Sequence, residues 1–96
     1  MEDIVYYNEL YDIYGELLTE KQRKYFEDYY FNNLSFSEMA QDYDISRNAA
    51  FKQIHIVIDK LVEYERVLNL HKKRLKIREL IKDFPDDIKK VIDDLI

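Results

Sequence analysis

Two residues constrain this chain more than any others: Gly15 is its only glycine and Pro85 its only proline, in 96 residues. A β-rich chain reverses direction at many points, and its tight turns draw on glycine for positive φ and on proline for a fixed φ. With one of each, the chain has to join its elements through helix ends and short polar loops, so the expectation is an all-α fold. The length corresponds to one domain with a modest core. There is no cysteine, which removes disulfides and thiolate metal sites. No apolar run approaches the roughly 20 residues that span a bilayer, and no basic-then-apolar leader is present. The expectation is a cytoplasmic chain without membrane insertion.

The stretch Leu34 to Leu61, LSFSEMAQDYDISRNAAFKQIHIVIDKL, organises the rest. Ser35 with Glu38 three residues on is a capping box, which starts a helix at Phe36. Its inward face carries Phe36, Met39, Ala40 and Tyr43, with the small Ala40 at the closest helix crossing. Asp44 falls where the chain turns and φ becomes positive, a conformation aspartate tolerates. Ile45 plugs the turn into the core. Ser46 is a second N-cap, so a longer helix begins at Arg47, with Ala50, Ile54, Val57 or Ile58, and Leu61 inward at helical spacing. Two helices across a tight turn form a helix-turn-helix, whose second helix can enter a major groove.

Elsewhere the periodicity predicts a first helix from Asp3 to Tyr14, stopped near Gly15 as a C′ glycine. Leu17 and Leu18 form an apolar connection. Thr19 and Gln22 make another capping box and start an aromatic helix at Glu20 that runs to about Phe31. Its rings, among them Tyr25, Phe26, Tyr29 and Tyr30, are expected in the core rather than on bases. After Ser46 no strong helix breaker precedes Asp83, so one long helix or a bend near Leu68 to Leu70, at Asn69, is expected. Leu75, Leu80 and Ile81 are expected to form a narrow apolar seam flanked by Ile77. Asp83 to Asp87 breaks the chain and restarts it through Pro85. The last helix carries Ile88, Val91, Ile92, Leu95 and Ile96, a stripe that either caps the core or mates with a second subunit. Residues 1–65 are therefore read as the helix-turn-helix domain, and residues 66–96 as a helical extension packing on that domain or on another subunit.

Charge is unevenly spread over a net −5. Eight acids from Glu2 to Asp28 face only Lys21, Arg23 and Lys24, whereas from Glu65 onward nine bases face seven acids. Arg66 to Lys82 is the basic segment, with Glu79 its only acid.

Around the start of the second motif helix, Ser46, Arg47, Asn48, Phe51, Lys52 and His55 are the candidate DNA-binding residues. Arginine can donate a bidentate pair to guanine and asparagine can pair with adenine. Lys52 suits a phosphate, and Phe51 suits a thymine methyl or a neighbouring helix. For Arg47, Asn48 and Lys52 ordinary solvent exposure is the competing reading, and for His55 it is the stronger one. Lys72, Lys73, Arg74, Lys76 and Arg78 are candidate phosphate contacts, against the usual solvated helix face. His71 has no second ligand nearby, so no metal or cofactor is expected. Capping explains Ser35 and Ser46, no nucleophile stands with a base, and no enzyme is expected.

The run from Leu17 to Leu61 resembles the sigma-factor region 4 and LuxR type of helix-turn-helix. More closely, it resembles the YlxM family of small bacterial helix-turn-helix proteins. The matching residues are the opening Leu18-Thr19-Glu20-Lys21-Gln22, Tyr29-Tyr30, Leu34-Ser35, Glu38-Met39-Ala40, Ile45-Ser46-Arg47, Lys60-Leu61, and Tyr64-Glu65 with Leu68 and Leu70. The resemblance implies a wingless, sigma region 4-like bundle of five or six helices with a long recognition helix and a helical C-terminal tail. It also implies association with signal recognition particle genes. An arginine-rich recognition helix, as in sigma region 4, is absent. Three roles follow as expectations: a double-stranded DNA regulator, working as a possible homodimer; a protein-interaction module of the same shape; and a binder of signal recognition particle RNA or protein, the RNA through segment 66–82.

Overall fold

The computed structural model describes residues 3–96; Glu2, one of the N-terminal acids, lies outside them. Among the described residues six helices follow one another: α1 (Ile4–Tyr14), α2 (Glu20–Tyr30), α3 (Phe36–Tyr43), α4 (Arg47–Leu68), α5 (Leu70–Leu80) and α6 (Asp86–Leu95), with a 3-10 turn over Gly15–Leu17. No strand occurs among the described residues. The helix starts obey their caps. Asp3, Thr19, Ser35 and Ser46 each accept a backbone N–H of the following first turn, and the boxes Thr19–Gln22 and Ser35–Glu38 close in both directions.

Gly15 has a different reason from the expected one. Its φ is −55°, an ordinary helical value, so it ends α1 without a left-handed backbone. A Cβ there would meet the Tyr11 ring at 3.1 Å. The glycine makes room for that ring, which stacks on Phe26 at 4.2 Å and whose hydroxyl donates to Glu27 on α2.

α4 is the spine. Val57 and Leu61 join Leu10, Tyr14, Leu18 and Phe26 in one core cluster. Ala50, Ile54 and Ile58 join Tyr25 and Met39 in the other. A helix of 22 residues extends about 33 Å at 1.5 Å per residue. It therefore passes through both cores and out beyond them. The molecule measures 51 × 25 × 24 Å with a radius of gyration of 16.3 Å, against about 12.5 Å for a compact domain of this length.

The chain bends at Asn69, which adopts a left-handed φ of 56° and ends α4 through a hydrogen bond from its N–H to the Glu65 carbonyl. Asn69 gives α5 no side-chain cap. The free N–H groups at the start of α5 are satisfied from elsewhere. Leu70 donates to the Tyr14 hydroxyl at 3.0 Å. His71 and Lys72 donate to the two oxygens of Glu65 at 3.0 and 3.1 Å. Tyr14 in turn donates to Glu65 at 2.7 Å, a carboxylate only 8% exposed.

This capping sets the face that α5 turns to α1, and it is not the expected seam. His71 and Ile81 are buried, while Leu75 and Leu80 stand exposed. His71 lies edge-on to Tyr6 at 5.3 Å, with its Nε2 2.5 Å from Glu9. Beyond the turn at Ile81, α6 returns along α5, where Asp93 meets Arg78 at 3.1 Å. No α6 residue is buried, so the last helix does not cap the core.

Burial alone would push the Glu65 carboxyl up. The hydrogen bonds from Tyr14, His71 and Lys72, together with the His71 ring, outweigh it and hold the group below its ordinary value of 4.5. A group with a depressed folded-state value favours the fold when ionised. Its contribution is complete above the unfolded value and is lost as pH falls through the folded one. Urea unfolding should therefore show wild-type stability falling more steeply than that of Glu65→Gln as pH drops below about 4.5. At neutral pH Glu65→Ala, which orphans a hydroxyl and two helix N–H groups, should cost about 3 kcal/mol.

Candidate nucleic-acid interface

The turn between α3 and α4 is closed by backbone geometry. Asp44 sits at φ 53°. The Ile45 N–H donates to the Ala40 carbonyl at 3.0 Å and the Asp44 N–H to Gln41 at 3.4 Å, the paired bonds of a Schellman motif. Ile45 then packs into the second core cluster. Tyr43 fixes the other side of α3 by donating to Asp28 on α2 at 2.5 Å. That hydrogen bond and the burial of the ring push the tyrosine hydroxyl well above its ordinary range, burial being the larger cause.

These contacts leave the first two turns of α4 outward. Arg47, Asn48, Phe51 and Lys52 are exposed and His55 is half-buried. At 100° per residue they share a face about 140° wide. Ser46 is engaged as the cap, accepting the Ala49 N–H at 3.0 Å. Arg47 lies over the Phe36 ring at 5.9 Å. Phe51, 44% exposed, is edge-on to Phe36 at 5.3 Å and 4.3 Å from the His55 ring. Phe36 itself stacks on Tyr29 at 4.7 Å. The phenylalanine thus does both things its spacing allowed: it points outward and leans on the neighbouring helix.

The face therefore consists of two cations and an amide around an aromatic shelf. Asp42, Asp44 and Glu38 are exposed on the adjoining helix and turn. The shelf was missed in the sequence because Tyr29 and Phe36 belong to different helices, and the signal for Phe36, its place just after the Ser35 cap, pointed inward.

The basic segment divides. Arg74 reaches Asp12 on α1 at 3.7 Å and is half-buried, and it donates to the Ile96 carbonyl. Arg78 pairs with Asp93. Lys72, Lys73 and Lys76 are exposed and make no ion pair among the described residues. The five candidate phosphate contacts thus separate into two that hold the arm together and three that face outward. Among the described residues no group of three or more potential ligands could hold a metal, and no helix is long and apolar enough to cross a membrane.

Comparison with known proteins adds an independent finding. The profile of a family described as "Putative helix-turn-helix protein, YlxM / p13 like" (UPF0122) matches residues 1–95. A UPF0122 protein of Geobacillus sp. strain WCH70 is 40% identical over 86 residues, covering 90% of this chain and 78% of the relative. One of Fusobacterium nucleatum is 33% identical over 101 residues, covering 100% and 98%. One of Ureaplasma parvum is 45% identical over 71 residues, covering 74% and 72%.

The Tyr43–Asp28 bond sets how α3 presents the turn, so Tyr43→Phe, which keeps the ring and deletes the donor, should lower unfolding free energy by about 1.5–2 kcal/mol. Equilibrium urea denaturation at pH 7 measures this, and helical circular dichroism should be unchanged below the transition.

Proposed function

The chain belongs to the UPF0122 family of YlxM/p13-like helix-turn-helix proteins, and on that premise we propose that it binds double-stranded DNA through the first two turns of α4, as a regulator in the cytoplasm. The observation that carries the reading is the outward placement of Arg47, Asn48 and Lys52 on one helical face, immediately after a closed α3–α4 turn. In this reading Asn48 and Arg47 meet base edges, since each can form a bidentate pair. Lys52 meets a phosphate, and the Phe51 ring offers its exposed edge to a thymine methyl. The unfilled N–H groups of the first α4 turn favour the phosphate backbone nearby. The reading assigns the chain no catalytic step.

A second reading takes the same face as a protein-docking surface. The aromatic shelf Tyr29–Phe36–Phe51 and the acids around it favour that alternative. Contact with signal recognition particle RNA, which the YlxM resemblance raised, would fall to Lys72, Lys73 and Lys76.

Fluorescence anisotropy with labelled genomic duplex and, separately, signal recognition particle RNA distinguishes the three. The expected result is saturable duplex binding whose log–log salt slope is about −0.9 per phosphate contact. Arg47→Glu with Lys52→Glu should abolish it, and neutralising Lys72, Lys73 and Lys76 should leave it intact. Binding of RNA alone, lost with the three lysines, would overturn the DNA reading. Binding of neither would leave the protein-docking one.

A further inference from the structure

Where α5 lies against α1 the two helices enclose a cleft of about 350 Å³. Its α1 wall carries acceptors, on Asn8, Glu9 and Asp12; its α5 wall carries donors, on His71, Arg74 and Arg78. Val5 adds an apolar edge. Most of these groups are already engaged. The His71 Nε2 lies 2.5 Å from Glu9, and an Arg74 terminal nitrogen lies 3.7 Å from Asp12. The other Arg74 terminal nitrogen donates to the Ile96 carbonyl, and the Arg78 Nε donates to Asp93 at 3.1 Å. Two atoms are not engaged. Among the described residues, the buried side-chain atoms without a hydrogen-bond partner are Asn8 Oδ1 and Arg74 Nε. A buried polar atom left unpaired is costly, so each such atom calls for an explanation. One of the two is an acceptor and the other a donor, and their side chains line opposite walls of the same cleft. That placement suits a ligand that donates to α1 and accepts from α5.

Charge selects the chemical class. An oxyanion would suit Arg74 and Arg78 but would face Glu9, Asp12 and the Asn8 oxygen. A cation would suit those three and face the two guanidiniums. A neutral polar molecule would pair the two orphaned atoms and leave the charges of both walls unused. A small zwitterion answers both walls at once, because its ammonium only donates and its carboxylate only accepts. A guanidinium has five donors and a carboxylate about four acceptor sites, so the pairs already formed leave capacity on each wall. The cleft is at the small end of the range for ligand sites, roughly 300–1,000 Å³, which matches a free α-amino acid.

We propose that the α1–α5 cleft binds a free α-amino acid. The ammonium is held by Asn8 Oδ1 between Glu9 and Asp12, and the carboxylate by Arg74 Nε and Arg78. The ligand thereby ties α1 to α5 and adds to the stability of the folded chain. The site shares no residue with the α3–α4 face, so it stands or falls separately from DNA binding.

Thermal denaturation of the full chain, followed by circular dichroism, tests this with each of the twenty common L-amino acids in turn. At about 10 mM at least one should raise the melting midpoint by about 4 °C or more, the effect of a ligand at roughly ten times its dissociation constant. Isothermal titration calorimetry with that amino acid should give one site per chain. Its N-acetyl derivative, which lacks the ammonium, and its carboxamide, which lacks the carboxylate, should each bind at least tenfold more weakly. Asn8→Leu deletes an acceptor that pairs with nothing in the chain. The unliganded variant should therefore melt no lower than the wild type, while binding the amino acid at least tenfold more weakly. Lys73→Ala, outside the cleft, should bind as the wild type does. No shift of the midpoint and no heat with any of the twenty would overturn the proposal and leave the cleft to water. So would equal binding of the blocked derivatives, a result read on the wild type alone, or undiminished binding by Asn8→Leu.

Discussion

One buried carboxylate holds three helices together. Glu65 belongs to α4, accepts the hydroxyl of Tyr14 from α1, and caps the first N–H groups of α5 with both its oxygens. A carboxylate taken out of water costs several kcal/mol unless its lone pairs are filled. Here three donors fill them, one a hydroxyl and two the positive end of a helix. The same contacts supply what Asn69 cannot, since its left-handed backbone ends α4 while its side chain leaves α5 uncapped. Remove the carboxylate, and both the bend at Asn69 and the direction of α5 lose their support. The burial of His71 and the placement of Arg74 beside Asp12 then follow from that direction.

Glu65 is one instance of a wider habit. The N-terminal half has many acids and few bases, so its carboxylates could not all find cations. Tyrosines serve instead. Tyr11 donates to Glu27, Tyr43 to Asp28 and Tyr14 to Glu65, each bond joining two helices. A tyrosine buries its ring in the core and brings its hydroxyl to the edge, where it meets a carboxylate without a second desolvated charge. The acid excess is in this way partly a structural device. It fixes α2 against α1 and α3, and therefore fixes the angle at which α3 delivers the turn.

Much of this was legible in the sequence, because much of it is local. Caps at Thr19, Ser35 and Ser46, the left-handed residue at Asp44 and the inward stripe from Ala50 to Leu61 are read from neighbours three or four positions apart, the reach of one helical turn. What lay outside that reach was misread. Gly15 seemed to serve a left-handed end, and only the Tyr11 ring packed over it gives the true reason. Leu75 and Leu80 seemed a seam because apolar residues normally face inward, but α5 is rotated by a cap that comes from Glu65, six and seven positions upstream of the groups it holds. Glu65 left one trace: it continues the stripe Ile54, Ile58, Leu61 by one more turn. A charged residue on an apolar stripe is a position to question, since it stays there only when partners from other elements reach it. The family match supports the helix-turn-helix fold that these patterns implied.

The rigidity of α4 links the two ends of the molecule. Its first turns carry the candidate reading face, its middle is packed in both cores, and its last turn is the Glu65 junction from which the arm departs. A single reading helix with two cations offers little affinity at physiological salt, because counterion release scales with the phosphates neutralised. The arm at the other end is held as firmly: capped by Glu65, tied to α1 through His71 and Arg74, and closed on itself through Arg78 and Asp93. Both ends are thus fixed to one spine, so the packing of α4 in the two cores sets the direction of the arm and the placement of the candidate face together.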